Sequence, residues 1–159
     1  RQVAIVRHAE ASFTGAAAAV LETLRGLGVD TSGAQLFDGS GLSRKNRLSA
    51  DMLARLVYIA SKPSSSALRA TLSGLPVAGF SGTLRDRFGT DGSSKAVSDV
   101  RAKTGSLTQV RSLAGMVTTA DGAVLSFAVV ANGFPNNGGD TAERGLDQVA
   151  AVMADCGCR

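Results

Sequence analysis

The stretch SDVRAKTGSLTQVRSLAGMVTTADGAVLSFAVVA, residues 98–131, decides the fold class, because the pattern changes here from helical to extended. Asp121-Gly122 predicts a tight hairpin turn between the last two strands of the stretch. The last strand is apolar on both faces, which predicts a position in the interior of a sheet that is covered on both sides. The three strands are predicted at residues 98–106, 109–119 and 123–131.

Helical patterns lie on both sides of these strands in the chain. The first helix is predicted to end just before Gly28, and the second to begin at Ser49 as its N-cap. A third, short helix opens at Pro63 and the serines 64–66 and runs through Leu72. The predicted buried faces are Ala17, Val20, Leu21, Leu24 and Leu27 in the first helix, Met52, Leu53, Leu56, Val57 and Ala60 in the second, and Leu146, Val149, Ala150 and Met153 in a last helix after the strands.

The beginning of the chain also has a helical pattern, in which Val3, Ile5, Val6 and Ala9 form an apolar face with no N-cap ahead of them. The sequence starts at Arg1 and not at Met, and its first residues do not match the pattern of a signal peptide. We therefore expect residues 1–159 to be the C-terminal portion of a single domain whose N-terminal portion is missing.

Composition bounds the class of protein. The 159 residues suffice for one domain or a large part of one, and the 44% of hydrophobic residues suffice for a core. No apolar run approaches the roughly 20 residues that span a bilayer. The net charge of +4 suits an anionic environment such as a cell wall. The basic residues are scattered, so the sequence predicts no dedicated nucleic-acid binding.

The segment SGLPVAGFSGTLRDRFG, residues 73–89, has four glycines and reads as a loop. It is too apolar for a flexible linker. We expect it to be packed and to contribute to function.

The segment IVRHAEAS, residues 5–12, is similar to the start of a histidine phosphatase, in which a strand presents Arg and His to a phosphate. That chemistry requires a second His, whereas His8 is the only His of the chain. Ala9 replaces the glycine that normally follows the Arg-His pair, and the local pattern is helical. The histidine phosphatase therefore ranks as a distant third among the functions considered, which an assay on phosphate esters with a His8→Ala control would test.

The segment GSGLSRKN, residues 39–46, is glycine-rich, and such loops can bind phosphates through backbone N–H groups. A P-loop has two glycines separated by four residues, followed by Lys and then Ser or Thr. Gly39 and Gly41 are too close together, and Asn46 follows Lys45. A nucleotide site here is weakly supported.

The tripeptide Lys103-Thr104-Gly105 is an element of the serine enzymes that recognise penicillin. A strand places Lys103 and Gly105 on one face and Thr104 and Ser106 on the other. A Lys ammonium raises the positive potential and can assist proton transfer, and a Thr hydroxyl can bind a substrate carboxylate. Glycine lets a substrate backbone lie against the strand, and the next N–H can stabilise an oxyanion.

This tripeptide belongs to an ordered set that comprises FDGSGLSRKNRLSA, GLPVAGFSGTLRDRF and VRAKTGSL, followed by a hairpin and a helix. The set resembles the C-terminal part of the D-alanyl-D-alanine carboxypeptidase/endopeptidase family, the class C low-molecular-mass penicillin-binding proteins of peptidase S13 type. The resemblance implies an α+β fold of the penicillin-recognising transpeptidase and β-lactamase type. Its five-stranded antiparallel sheet would have helices on both faces.

The resemblance also implies a mechanism in which the serine of a Ser-x-x-Lys motif attacks a D-Ala-D-Ala bond and water then hydrolyses the acyl-enzyme, whereas β-lactams acylate the enzyme and trap it. Lys103, Thr104 and Gly105 match catalytic positions. The positions that match substrate-binding residues are Thr104, Ser106, Leu107, Leu42 and Arg44, of which Arg44 is suited to a carboxylate of a peptidoglycan diamino acid. No metal or organic cofactor is implied.

Neither Ser-x-x-Lys nor a usable Ser-x-Asn occurs in the chain. We therefore expect this chain alone to be inactive, and its partners to be an N-terminal portion of the same protein, peptidoglycan peptides and β-lactams, outside the cytoplasmic membrane. The alternative is a non-catalytic cell-wall or protein-interaction module that keeps the fold. Cys156 and Cys158 lie too close together for a zinc site, which leaves free thiols or a bridge to the missing portion, since a bridge between them is expected to be strained.

Overall fold

The computed structural model describes residues 5–6, 11–89 and 92–157, which fall into two units, Arg1–Leu56 and Val57–Arg159. Ile5 and Val6 are helical, as predicted, and both are exposed. His8 lies outside the described residues, as do Val3, Ala9 and Cys158. Cys156 is disulfide-bonded, so the free-thiol alternative is wrong for that residue.

Helix α1 of the first unit, Phe13–Gly26, begins and ends at capping residues. The Ser12 Oγ accepts a hydrogen bond from the Gly15 N–H at 2.8 Å. At the other end Gly28 has a φ of +79°, and the Val29 N–H donates to the Leu24 carbonyl at 3.0 Å, as in a Schellman motif. The prediction that the helix stops before Gly28 is confirmed.

The buried face of α1 differs in part from the prediction. Gly15, Ala16, Ala17 and Ala19 are buried, whereas the predicted Val20, Leu21, Leu24 and Leu27 are half-buried. Apolar spacing alone ranks the larger residues as the core. In the structure the small residues are the ones that face inward, and the Ala16 Cβ lies 3.0 Å from where a Cβ on Gly39 would be.

Helix α2, Ala50–Ser61, begins as predicted after Ser49, whose Oγ accepts from the Met52 N–H at 3.1 Å. It runs across the boundary between the two units. Helix α3, Ser66–Ser73, begins at the last of the residues 63–66 that were predicted to open it, and it ends one residue after the predicted Leu72.

The sheet of the second unit consists of β1, Val100–Leu107, β2, Val110–Thr118, and β3, Val124–Asn132, in the order β1-β2-β3 with antiparallel neighbours. The predicted strands match within two residues at each end. Gly122 lies in the β2–β3 turn with a φ of +80°, and its N–H donates to the Thr119 carbonyl at 2.8 Å.

The predicted interior position of the third strand is wrong for the sheet that the described residues form. β2 is the central strand and β3 is an edge strand, with Phe127 buried and Val124 63% exposed. Two consecutive hairpins necessarily place the middle strand at the centre. The apolar run of β3 indicates burial on two faces but does not specify its neighbours.

Helix α4, Gly139–Asp155, covers one face of the sheet. The core between them is built from residues that are all at most 5% exposed, namely Val100, Ala102, Leu113, Val117, Phe127, Leu146, Ala150, Ala151 and Ala154. Val149 was predicted to face this core, but it is 45% exposed. Asp147 is buried in its place, because its carboxylate binds the Arg87 guanidinium at 2.5 Å and 3.2 Å.

The 73–89 segment is packed, as predicted. Ala78, Leu84 and Phe88 are at most 1% exposed, and residues 82–84 form a 3₁₀ turn. A second 3₁₀ turn covers residues 93–96. None of the helices in the part of the chain that the structure describes is long and apolar enough to cross a membrane.

Candidate active site

The alternation of side chains along β1 places the candidate catalytic residues. Val100 and Ala102 are fully buried, whereas Arg101 and Lys103 are exposed. Lys103 and Gly105 therefore share the face that α4 leaves open, and Thr104 and Ser106 continue the opposite face. Arg101 and Lys103 give that open face a positive potential, which attracts anions.

The outer edge of β1, away from β2, is paired along only part of its length. The Ala78 N–H donates to the Val100 carbonyl at 2.9 Å, and the Ala102 N–H donates to the Pro76 carbonyl at 3.0 Å. Alternate residues of an antiparallel strand direct their backbone groups to the same side, so the groups of Thr104 and Ser106 also face this outer edge.

Beyond Ala102 no backbone hydrogen bond on the outer edge joins β1 to any described residue. The Thr104 carbonyl accepts the Lys103 Nζ at 2.7 Å. No group of the described residues pairs with the N–H or the C=O of Ser106 on this edge. Such an edge can add an extended peptide as a further strand, and its N–H can donate to an oxyanion.

Gly105 lies opposite Ser112 of β2. A Cβ added at Gly105 would overlap the Ser112 Oγ and lie 3.7 Å from the Ser112 Cβ. The strand pair therefore favours glycine at this position independently of any substrate.

The Thr104 side chain contacts the neighbouring 3₁₀ turn. Its Oγ1 lies 2.9 Å from the Thr83 Oγ1, within hydrogen-bond distance. Leu107 is half-buried at the end of β1, and its carbonyl accepts from the Arg111 Nη1 at 3.0 Å. β1 thus brings Lys103, Thr104, Gly105, Ser106 and Leu107 together.

Leu42 and Arg44 lie in the first unit, on the loop that the antiparallel bridge between Gln35 and Arg47 closes. Leu42 is 71% exposed, and Arg44 is exposed as well. The Arg44 guanidinium forms no hydrogen bond or ion pair with the described residues, although its carbonyl accepts from the Arg47 Nη1 at 2.9 Å. Both side chains are available to a ligand.

Asp38 organises this loop. Its side chain accepts hydrogen bonds from the Ser40 Oγ at 2.6 Å, the Asn46 Nδ2 at 2.7 Å, the Leu42 N–H at 3.1 Å and the Ser43 N–H at 3.2 Å. The hydrogen bonds from Ser40 and Asn46 are the main reason why the pKa of Asp38 falls from 3.8 to about 2. The carboxylate therefore holds the backbone of Leu42 and of Ser43, the residue directly before Arg44.

Sequence reasoning missed Asp38, Thr83 and Ser112. Asp38 had a detectable signal, because an Asp followed two residues later by Ser is typical of turns that the Asp side chain caps. Thr83 carried none, since it meets Thr104 only when segments 21 residues apart in the sequence come together, and the contact of Ser112 depends on the exact register of the β1–β2 hairpin. The described residues contain no group of three or more His, Cys, Asp or Glu side chains that could hold a metal ion.

The sequence profile of the D-Ala-D-Ala carboxypeptidase 3 (S13) family matches residues 1–153. Carboxypeptidase DacB of Mycolicibacterium smegmatis is 47% identical over 159 residues, which are 99% of this chain and 34% of that protein. A D-alanyl-D-alanine carboxypeptidase of Actinomadura sp. is 45% identical over 121 residues, which are 72% of this chain and 21% of that protein.

A crystal structure of penicillin-binding protein 4 (dacB) from Haemophilus influenzae, in complex with a β-lactam, aligns with a TM-score of 0.72 at 32% identity. The alignment covers 94% of this chain and 36% of that one. The predicted fold class is confirmed. The chain spans about a third of the length of the M. smegmatis and H. influenzae proteins.

Proposed function

The chain belongs to the D-Ala-D-Ala carboxypeptidase 3 (S13) family, and from this premise we propose that it is part of a serine-type peptidase. Its substrate is the D-Ala-D-Ala end or cross-link of peptidoglycan stem peptides, and the reaction passes through an acyl-enzyme. The observation that carries the proposal is the open outer edge of β1 at Thr104 and Ser106, directly beside Lys103.

Each residue of this strand has a role in the proposed reaction. Lys103 provides positive charge and takes part in the proton network, for which its ammonium must leave the Thr104 carbonyl that it now contacts. Thr104 and Ser106 bind the terminal carboxylate of the substrate, and the Ser106 N–H donates to the oxyanion. Gly105 lets the substrate backbone approach the strand.

Leu42 and Arg44 of the first unit, and Leu107 of the second, are the further residues that contact the substrate in this proposal. Arg44 pairs with a carboxylate of the diamino acid, since a guanidinium binds a carboxylate through two parallel hydrogen bonds. Support comes from the exposed Arg44 guanidinium and from the Asp38 hydrogen bonds that fix the loop.

The nucleophile is on an N-terminal portion of the same protein, which makes residues 1–159 the C-terminal portion of one penicillin-binding domain. Two observations support this division: the sequence contains no Ser-x-x-Lys, and the M. smegmatis and H. influenzae proteins are about three times as long. The complete enzyme acts outside the cytoplasmic membrane, where peptidoglycan is found. Nucleic acid is not among its partners.

Fluorescent-penicillin labelling tests the proposal. The chain is purified with the N-terminal portion of its protein, labelled, and separated on a denaturing gel, and each polypeptide is weighed intact. We expect label on the polypeptide with Ser-x-x-Lys and none on the chain that starts at Arg1. Lys103→Ala should lower the labelling rate at least tenfold.

Two results would contradict the proposal. Label on the chain that starts at Arg1 would show that the nucleophile lies within residues 1–159 and not on the N-terminal portion. No label on a folded complex of both portions would remove the enzyme and leave the non-catalytic cell-wall module.

A further inference from the structure

The Thr83–Thr104 hydroxyl pair stands at the point where the backbone pairing on the outer edge of β1 stops. The 76–78 segment covers this edge as far as Ala102. At Thr104, the next residue of the same alternation, no described backbone group pairs with the edge, and the Thr104 Oγ1 lies 2.9 Å from the Thr83 Oγ1. Thr83 is exposed and Thr104 is half-buried, so a ligand can reach the pair from solvent.

The position of Thr83 is fixed by its neighbours. Leu84 is fully buried, and its carbonyl accepts from the Gly79 N–H at 2.9 Å. Gly82 has a φ of +53°, and a Cβ there would lie 3.0 Å from the Pro76 Cγ. The turn that carries Thr83 is therefore held against the same 76–78 segment that pairs with β1.

A hydrogen bond between two hydroxyls uses the proton of only one of them, and each hydroxyl also has lone pairs that can accept. In the free protein Thr104 can donate to Thr83. A bound carboxylate only accepts, so the Thr104 proton must turn toward it. The Thr104 oxygen then becomes the acceptor, and Thr83 is placed to donate to it. When a hydroxyl accepts a hydrogen bond, the hydrogen bond that the same hydroxyl donates becomes stronger.

We propose that Thr83 is a positioning residue that orients the Thr104 hydroxyl toward the terminal carboxylate of a substrate or β-lactam. This inference rests on the proposed function, because it needs a ligand whose carboxylate meets Thr104. Thr83 itself touches neither the scissile bond nor the nucleophile, and acts through Thr104.

The test uses the complex of the chain with its N-terminal portion and compares benzylpenicillin with its methyl ester, which lacks the carboxylate charge. Acylation rate constants are measured for the wild type, Thr83→Val, Thr83→Ser and Thr104→Val. We expect Thr83→Val to slow acylation by benzylpenicillin about tenfold and acylation by the ester less than about twofold. Thr83→Ser, which keeps the hydroxyl, should behave like the wild type.

Further variants separate orientation from a general loss of structure. In the Thr104→Val background, Thr83→Val should have no additional effect. Thr118→Val is the matched control, since it removes an exposed hydroxyl at the end of β2. A structural role for Thr83 predicts equal slowing with both ligands, and that result would overturn the inference.

The failure of this inference can be distinguished from the failure of the proposed function. If the wild-type complex reacts with neither ligand, the proposed function fails and the inference fails with it. If the wild type reacts and prefers the free acid, and Thr83→Val keeps the full preference, only the inference fails.

Discussion

Gly105 is the residue at which strand pairing and the proposed substrate binding require the same absence of a side chain. A Cβ there would overlap the Ser112 Oγ, which is the far end of a side chain that can rotate. We therefore expect Gly105→Ala to lower the free energy of unfolding by only about 1 kcal/mol, the cost of an unfavourable rotamer. Penicillin labelling of the complete enzyme should nevertheless fall at least about tenfold, because the substrate backbone is displaced.

Two variants separate these demands. Ser112→Ala removes the overlapping atom, so the Gly105→Ala Ser112→Ala double variant should recover stability but not labelling. If labelling also recovers, glycine is needed at position 105 only for strand pairing.

Gly115→Ala provides a contrast, because its Cβ would lie 2.6 Å from the Ala102 Cα and overlap the Arg101 carbonyl oxygen. Backbone cannot rotate away, and we expect a loss of about 3 kcal/mol in chemical denaturation.

Asp38 is the residue whose ionisation links the loop of Leu42 and Arg44 to pH. The hydrogen bonds from Ser40 and Asn46 lower its pKa from 3.8 to about 2. A lowered pKa stabilises the fold above pH 3.8, and this stabilisation is lost as the pH falls toward 2. We expect Asp38→Asn to be less stable than the wild type at pH 7, with a difference that shrinks over that window. Urea denaturation at several pH values measures this difference.

The control for Asp38 is Asp86→Asn, since Asp86 is exposed and lies outside this network of hydrogen bonds. A difference between wild type and Asp38→Asn that stays constant from pH 7 to pH 2 would contradict the role of the carboxylate charge.

At the scale of residues, the sequence identified the strand residues Lys103 to Leu107 because a short motif carries them. The sheet face on which each of Lys103, Thr104, Gly105 and Ser106 lies agrees with the prediction. Their chemical roles stay predictions. Thr83 could not be found in this way. Its 21-residue separation from Thr104 is bridged only when the 73–89 segment folds against the sheet.

Among the elements, the 73–89 segment is tied to α4 by a buried ion pair. Arg87 and Asp147 have side chains that are 10% and 7% exposed, and they meet through two hydrogen bonds. We expect Asp147→Ala to lower the free energy of unfolding by about 3 kcal/mol, because the buried Arg87 charge loses both hydrogen bonds to Asp147 and keeps, among the described residues, only longer contacts with Glu143, whose Oε1 lies at 3.6 Å. Thermal or urea denaturation of the variant measures the loss.

The exposed ion pair between Lys95 and Asp155 provides the matched comparison on the same helix. Their side chains are 65% and 59% exposed. Asp155→Ala should therefore change the stability by less than about 1 kcal/mol. Equal losses in the two variants would show that burial is not what distinguishes these pairs.

The limits of the helices and strands followed closely from the sequence, since capping residues such as Ser49 and Gly28 mark them locally. The faces of the elements followed less well. Val149 was predicted to be buried, and Asp147 occupies the buried stripe because Arg87, 60 positions earlier, neutralises it. A pattern along one helix does not contain that partner.

At the scale of the whole molecule, several apolar features of the second unit are unexplained by the described residues alone. β3 is an edge strand although its sequence is apolar on both faces, and Val149 and Val152 of α4 are 45% and 70% exposed. The H. influenzae penicillin-binding protein 4 chain is about three times as long as the part that aligns with this chain. The proposed N-terminal portion would supply neighbours for these surfaces, and the family resemblance implies two further strands for the sheet.

Val149 and Val152 lie on one side of α4, opposite the face that packs on the sheet. We infer that a segment of the proposed N-terminal portion covers them. We expect Val149→Lys Val152→Lys to leave the second unit folded, since both side chains are exposed, but to weaken its association with the N-terminal portion at least about tenfold by burying two unpaired charges. Copurification and the dissociation constant from titration calorimetry measure the effect.

The control is Ser94→Lys combined with Thr118→Lys, which adds the same charge at exposed positions outside α4. Equal weakening by both pairs would indicate general charge repulsion. Unchanged binding by the α4 pair would show that this surface faces solvent in the complete enzyme.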